Sequence, residues 1–120
     1  MSRFVLRKVN TGIKFDLFAA NGEEILTSEV YESRAACLRG VESVQKNAPT
    51  ARLENQTEPG FHSLPNPKFE LFTDKSGAFR FRLRSRNGKI IAVSDSYTTK
   101  SAALGGIESV RKNAPIAETE

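Results

Sequence analysis

The chain has 120 residues, a hydrophobic fraction of 38%, a formal net charge of +4 and a pI near 9.5. This composition is typical of a small globular domain rather than a disordered chain, and no apolar run approaches the roughly 20 residues of a membrane-spanning helix. The single cysteine, Cys37, excludes an internal disulfide, and the first residues lack the apolar core of a secretory signal, so a cytoplasmic protein is expected.

Three strands are predicted at the start of the chain. The segments RFVLRKV (3–9) and IKFDLFA (13–19) alternate apolar and polar residues, as half-buried strands do, and EILTSEV (24–30) follows them. Asn21 and Gly22 separate the second and third segments, and this pair favours a type I′ hairpin turn. The pattern predicts a three-stranded meander.

A helix is predicted next. Ser33 is a favourable N-cap residue, Pro49 prevents continuation, and Asn47 can adopt the left-handed conformation that ends many helices. Glu42 and Lys46 have the spacing of a stabilising i,i+4 ion pair. The apolar stripe that recurs at helical spacing consists of Cys37, Val41, Val44 and Ala48.

The same order of elements returns after a linker rich in proline and glycine. A shift of 66 places aligns the two halves, and about half of residues 15–49 are identical to their partners. The second copy supplies strands at 68–72, 79–85 and 89–95, and a helix between Thr99 and Pro115. The expected organisation is a single pseudo-twofold domain over 1–120, with repeat 1 at about 3–57, a linker at about 58–67 and repeat 2 at about 68–120.

A glycine interrupts each predicted helix, at Gly40 and at Gly106. A glycine inside a helix costs about 1 kcal/mol relative to alanine, so its presence at equivalent places indicates a steric requirement. Two interpretations are open. The helix approaches the sheet or the other repeat's helix closely, or the glycine forms a notch that faces a ligand.

The repeated residues resemble the YegP-like family of small bacterial proteins over nearly the whole chain. The residues that carry the resemblance, with their counterparts in the second copy, are Asn21, Gly22, Ser28, Tyr31, Gly40, Ser43, Val44 and Asn47. The resemblance implies an α+β fold of two tandem β3-α-β repeats. They form one mostly antiparallel sheet with two helices packed on one face and with the C-terminal strands of the repeats exchanged. No catalytic residue is implied, because the family has no established activity.

The groups that could perform catalysis are few. His62 is the only histidine and falls in the predicted linker, and Cys37 lies on the apolar stripe of the first helix. The carboxylates form no spaced cluster with histidine, and the phosphate-loop pattern is absent. We therefore expect no enzymatic activity, no cofactor and no metal ion.

Tyr31 and Tyr97 occupy equivalent places between a strand and a helix. One interpretation is structural, with each ring closing the end of the core and its hydroxyl bonded to backbone. The alternative is a symmetric pair of small binding sites.

The two copies differ most in the segment FRFRLRSRNGK. Alternation places one set of side chains on the face opposite the apolar residues, and the first copy has Lys14, Asp16, Phe18 and Ala20 at the equivalent places. This row is either a solvated outer face or a contact for nucleic acid or another polyanion. The candidate contact residues are Arg80, Arg82, Arg84, Arg86 and Lys89.

The sequence thus favours a small non-catalytic binding or interaction module, monomeric, with an internal pseudo-dimer and no membrane association. The alternative is nucleic-acid or polyanion binding through the arginine-rich strand of repeat 2. The partner is unknown at this level.

Overall fold

A computed structural model describes all 120 residues. The strands are β1 (Arg3–Val9), β2 (Gly12–Phe18), β3 (Glu24–Ser28), β4 (Arg52–Asn55), β5 (Lys68–Thr73), β6 (Phe79–Arg84), β7 (Ile90–Val93) and β8 (Glu118–Thr119). The helices are α1 (Arg34–Asn47) and α2 (Lys100–Asn113), and a 3-10 turn (Ala114–Ile116) follows α2. Neither helix has the length and hydropathy needed to cross a bilayer.

All eight strands form one sheet in the order β4-β5-β6-β7-β3-β2-β1-β8. The two halves meet where β3 and β7 pair antiparallel, with Thr27 opposite Val93 and Ser28 opposite Ala92. The outermost strands are exchanged, because β4 of the first repeat runs parallel to β5 of the second and β8 runs parallel to β1. The expected α+β class and mostly antiparallel sheet are confirmed.

Both helices pack on the same face of the sheet and bury one core. Phe4 and Phe15 are fully buried and meet edge to face at 5.6 Å, and Phe69 and Phe81 repeat the contact at 6.0 Å. Burying a side chain of this kind contributes roughly 1.5–3 kcal/mol. One hydrophobic cluster contains residues from both repeats and both helices, so the two copies share their core.

The helix starts are as predicted, but the helix ends are not. Ser33 Oγ accepts a hydrogen bond from the Ala36 backbone N–H at 3.1 Å, and Thr99 caps α2 in the same way. No residue other than glycine has a positive φ, so the left-handed conformation expected for Asn47 is wrong. The Asn47 amide instead donates to the Ser43 carbonyl at 2.8 Å.

The hairpins use a different turn from the predicted type I′. Gly22 alone has a positive φ, of 88°, while Asn21 does not. The Gly22 N–H donates to the Ala19 carbonyl at 2.9 Å, and the Ala19 N–H donates to the Glu23 carbonyl at 2.8 Å. These bonds define a three-residue loop with its last residue left-handed, a geometry that requires only one glycine. The β6–β7 hairpin repeats this geometry at Gly88.

Candidate functional site

The glycines inside the two helices leave space for the repeated tyrosines. Backbone hydrogen bonds to Ile13 hold Tyr31 at the sheet, and its ring stacks on Phe15 with centroids 6.2 Å apart. A Cβ on Gly40 would lie 2.6 Å from Tyr31 Cζ, a distance that real contacts do not reach. The close approach predicted from Gly40 is therefore made by a tyrosine ring of the same repeat.

The second repeat reproduces this arrangement. Tyr97 stacks on Phe81 with centroids 6.2 Å apart, and a Cβ on Gly106 would lie 2.5 Å from the Tyr97 hydroxyl oxygen. Burial raises the pKa of both tyrosines, and for Tyr97 the nearby Glu23 carboxylate raises the pKa further. Neither hydroxyl forms the predicted hydrogen bond to backbone.

Each tyrosine lies at the inner end of a groove between a helix of its own repeat and a hairpin of the other repeat. The first groove runs between α1 and the loop that joins β6 to β7, and it has an outer part of about 570 Å³ and an inner part of about 430 Å³. We call it the basic groove. The residues that define it are Tyr31, Arg39, Ser43, Lys46, Ser85, Arg86, Asn87 and Lys89.

A second groove lies between α2 and the loop that joins β2 to β3. It is lined at the positions that the 66-residue shift relates to the first groove, and we call it the sister groove. Its defining residues are Tyr97, Gly105, Ser109, Lys112, Ala19, Ala20, Asn21 and Glu23.

The two grooves share a frame but differ in charge. Arg39, Arg86 and Lys89 of the basic groove stand where the sister groove has Gly105, Ala20 and Glu23. The basic groove has four cations and the Glu42 carboxylate, a net charge of +3. The sister groove has one cation and two carboxylates, a net charge of −1. The fold therefore tolerates either set of side chains, so it does not require the cations.

The cations of the basic groove form no ion pairs. None of the four takes part in an ion pair of the structure: Arg39, Lys46, Arg86 and Lys89. The predicted i,i+4 pair between Glu42 and Lys46 is not formed, which leaves the Lys46 ammonium free. Unpaired cations facing one cavity produce a positive potential that attracts anions.

Polar groups beside these cations add hydrogen-bond donors. Ser43 Oγ accepts a hydrogen bond from the Asn47 amide at 3.1 Å, which leaves its own O–H free to donate. The Asn87 side-chain oxygen is occupied by the Lys89 backbone N–H at 3.1 Å, so the Asn87 amide N–H groups remain. Together with the Tyr31 hydroxyl, these donors suit an acceptor-rich ligand.

The arginine row of β6 lies on the other, helix-free face, and most of it is engaged by the protein. Arg80 donates to the Ser94 carbonyl at 3.0 Å. Arg82 and Arg84 contact the buried Glu70 carboxylate at 2.5 and 2.8 Å. Burial alone would raise the pKa of Glu70. The hydrogen bonds and positive charges of these two arginines outweigh that effect, so the pKa of Glu70 is lowered.

The five residues named from sequence as one polyanion contact are therefore divided between two places. Arg80, Arg82 and Arg84 support the sheet, whereas Arg86 and Lys89 are exposed on the hairpin loop and line the basic groove. The residues that sequence reasoning missed are Arg39 and Lys46 of α1. A signal for Arg39 existed, because it stands opposite Gly105 in the repeat alignment.

The remaining reactive side chains lie away from both grooves. Cys37 is buried in the core, and burial raises the pKa of its thiol. His62 is exposed in the segment between β4 and β5. Neither contributes to a groove.

Comparison with known proteins finds relatives that match nearly the whole chain and a shorter relative that matches less than half of it. A UPF0339 protein of Bordetella pertussis is 39% identical over 117 residues, covering 98% of this chain and 92% of the relative. A UPF0339 protein of Treponema denticola is 60% identical over 50 residues, which are 42% of this chain but 86% of that protein. A chain about one repeat long therefore exists in the family.

Solved structures and a family description agree with these matches. The solution structure of a UPF0339 protein of Shewanella oneidensis superposes with a TM-score of 0.81 at 30% identity, covering 99% of this chain and 89% of that one. The solution structure of YegP from E. coli, a protein of unknown function, gives a TM-score of 0.80 at 31% identity, covering 99% and 90%. The family described as Domain of unknown function (DUF1508) matches twice, at residues 9–54 and 74–120, once for each repeat. The chain belongs to the DUF1508 family, whose UPF0339 members have no assigned function.

Proposed function

We propose that the protein is a non-catalytic binding module that holds an anionic, phosphate-bearing ligand in the basic groove. The observation that carries the proposal is the comparison between the two grooves. The frame is repeated, but three positions are cationic only in one copy, where no carboxylate pairs with them.

The chemistry of the groove suits a phosphate. Arg39 and Arg86 carry planar guanidinium groups that can each donate two parallel hydrogen bonds to phosphate oxygens. Lys46 and Lys89 add compact positive charges, and Ser43 supplies a neutral donor. These groups come from two elements on opposite sides of the groove, so a bound phosphate would be contacted from both.

The absence of catalysis is part of the proposal. The residues that line the basic groove include no histidine, cysteine or aspartate, and Glu42 is the single carboxylate. Tyr31 cannot serve as a base near neutral pH, since burial raises its pKa above the ordinary value for tyrosine and keeps the hydroxyl protonated. These features support binding rather than reaction.

A nucleic acid lying along the whole arginine row is less well supported. Arg82 and Arg84 already share the Glu70 carboxylate, and Arg82 lies over the Phe72 ring at 4.4 Å. A polyanion on that face would have to compete with an existing buried carboxylate. Of the unpaired cations, only Arg86 and Lys89 lie at the hairpin end of this row, and they line the groove.

The test is a titration with inorganic pyrophosphate at 0.15 M NaCl, followed by ¹⁵N–¹H NMR. We expect saturable shifts of the amides of Arg39, Ser43 and Asn87. The variant Arg39→Gln/Arg86→Ala/Lys89→Gln should bind at least about 10-fold more weakly, because each charge-assisted hydrogen bond is worth about 1.5–3 kcal/mol.

The control removes the same number of positive charges elsewhere. Lys8, Arg52 and Lys75 are exposed, form no ion pair and line neither groove. The triple change of these residues to Gln should leave the affinity within about 2-fold, since charges beyond about 8 Å are screened at this salt concentration. Equal losses in both variants, or shifts that do not saturate, would contradict the proposal.

We further propose that the protein acts as a monomer in the cytoplasm. The exchanged strands already complete the sheet within one chain, which removes the need for a partner copy. The one thiol is free and buried, which is compatible with a reducing compartment.

A further inference from the structure

We infer that the ligand of the basic groove is a small phosphomonoester whose organic part carries a planar, apolar group. This inference rests on the proposed function. It adds that the phosphate occupies the outer part of the groove and the planar group occupies the inner part, against Tyr31.

The two parts of the groove differ in the types of residue that line them. The outer part is lined entirely by polar and charged residues, among them Arg39, Lys46 and Arg86. The inner part is lined by a mixture of apolar and polar residues, with Ala36, Ile90 and Ile91 providing apolar surface. The two parts adjoin, because they share Arg39, Ser43, Ser85 and Asn87.

The inner part is large enough for a small organic group. Its volume of about 430 Å³ lies within the roughly 300–1,000 Å³ of small-molecule sites, which are typically apolar with a few placed polar groups. The Tyr31 ring stacks on Phe15 and occupies the space that a side chain at position 40 would fill. Tyr31 is half-buried and lines this part of the groove.

A bare phosphate would leave the inner part unused. A phosphomonoester with an aromatic ring would place its charge between the cations and its ring on Ile90 and Tyr31, which removes apolar surface from water on both sides. Each part of the groove is bounded by α1 on one side and by the hairpin on the other.

The sister groove provides an internal comparison. It keeps the inner tyrosine and Ile25, the counterpart of Ile91, but Glu23 replaces Lys89 and Gly105 replaces Arg39. A carboxylate there repels a phosphate. We therefore expect one phosphomonoester per chain, bound in the basic groove.

The test compares inorganic phosphate, phenyl phosphate and phenol by NMR titration of the full chain. Phenyl phosphate should bind at least about 10-fold more tightly than inorganic phosphate, and it should shift the amides of Gly40 and Ile91 in addition to those of the outer part. Phenol, which lacks the phosphate, should bind more weakly than phenyl phosphate by at least the same factor.

A substitution in the inner part of the groove tests whether the two parts bind different portions of the ligand. Glu24 occupies in the first repeat the position of Ile90 in the second, so Ile90→Gln places a polar group where the fold already accepts one. This variant should lose most of the advantage of phenyl phosphate over phosphate and should keep the affinity for phosphate itself.

The outcomes distinguish the two proposals. If phosphate binds in the outer part but phenyl phosphate binds no more tightly, or shifts only outer residues, this inference is overturned while the proposed function stands. If neither phosphate nor phenyl phosphate produces saturable shifts, both proposals fail. Equal loss of phosphate and phenyl phosphate affinity in Ile90→Gln also overturns the division of the groove into two parts.

Discussion

At the scale of single residues, adjacent glycines of α2 have opposite roles. Gly106 faces the Tyr97 ring, and a Cβ there would lie 2.9 Å from Phe81 Cε2 as well as 2.5 Å from the Tyr97 hydroxyl oxygen. Gly105 is exposed, and a Cβ there would meet nothing within 4 Å. Only the first is required by packing, and the second is simply a poor helix former.

Substitution of these two glycines by alanine should therefore have opposite effects on stability. Gly106→Ala should lower the free energy of unfolding by about 1–3 kcal/mol, because the aromatic pair must move to admit the new methyl group. Gly105→Ala should raise it by about 0.5–1 kcal/mol, because alanine is the better helix former. Urea unfolding followed by circular dichroism measures both, and a change of the same sign in the two variants would refute this account of the glycines.

The sequence predicts a steric requirement at Gly40 and Gly106, but it does not show which residues the two glycines contact. The sequence also shows that Tyr31 and Tyr97 are repeated, but nothing in it connects the tyrosines with the glycines. The contact depends on where the helix axis lies over the sheet. That position depends on the packing of the whole core, so local sequence patterns do not predict it.

At the scale of elements, a buried ion pair fastens the exchanged strand β4 to the second repeat. Glu54 accepts hydrogen bonds at 2.7 Å from both the Lys68 ammonium and the Leu64 backbone N–H, and at 2.6 Å from Gln56. Burial alone would raise the pKa of Glu54, but these hydrogen bonds outweigh it and lower the pKa to about 2. The carboxylate therefore stays ionised in mildly acidic solution.

This lowered pKa predicts a specific sensitivity to acid. Since the pKa of Glu54 falls from 4.5 in the unfolded chain to about 2 in the folded protein, its contribution, of about 3 kcal/mol, is complete above pH 4.5. It is lost as the pH falls from 4.5 towards 2. Urea unfolding between pH 2 and 6 should show this slope in the native protein and a flatter one in Glu54→Gln.

The control for this prediction is Glu32→Gln, because Glu32 is exposed and forms no ion pair. It should keep the slope of the native protein. If Glu54→Gln has the same pH dependence as the control, Glu54 does not fasten β4 in the way described.

The elements themselves could be predicted to different degrees. Alternation located β1 at its observed bounds, and the caps located the starts of both helices. The strands β4 and β8 have only four and two residues, too few for a clear alternation, and their exchange was implied only by the family resemblance. Pairing between residues far apart in the chain leaves no local signature, so it had to come from the structure.

At the scale of the whole molecule, the repeats differ in what they expose rather than in how they fold. The shared core and the β3–β7 pairing join them into one sheet. The two grooves, each of which is completed by the other repeat, differ in the charges of the residues that line them. Sequence comparison of the two copies identifies Arg86 and Lys89 as part of this difference, but it groups them with Arg80, Arg82 and Arg84, which contact other groups of the sheet.

The shared core predicts that both repeats unfold together. Val44→Pro should cost about 3 kcal/mol or more, because proline removes a helical hydrogen bond and clashes in the helix interior, and signals from both repeats should be lost in one transition. Arg34→Pro is the matched control, since proline is tolerated at the first helical position, and it should change stability by less than about 1 kcal/mol. Two separate transitions would show that the chain is not a single domain.

The most direct test of the central claim transfers the charges of the basic groove to the sister groove. The variant places cations at the three equivalent positions through the substitutions Ala20→Arg, Glu23→Lys and Gly105→Arg. Ala20 and Glu23 are exposed loop residues, and Gly105 is an exposed helix residue with free space around it. Isothermal titration with phenyl phosphate should give one site per chain in the native protein and two in this variant. A stoichiometry that stays at one would contradict the claim that the repeated frame binds an anion wherever these cations are present.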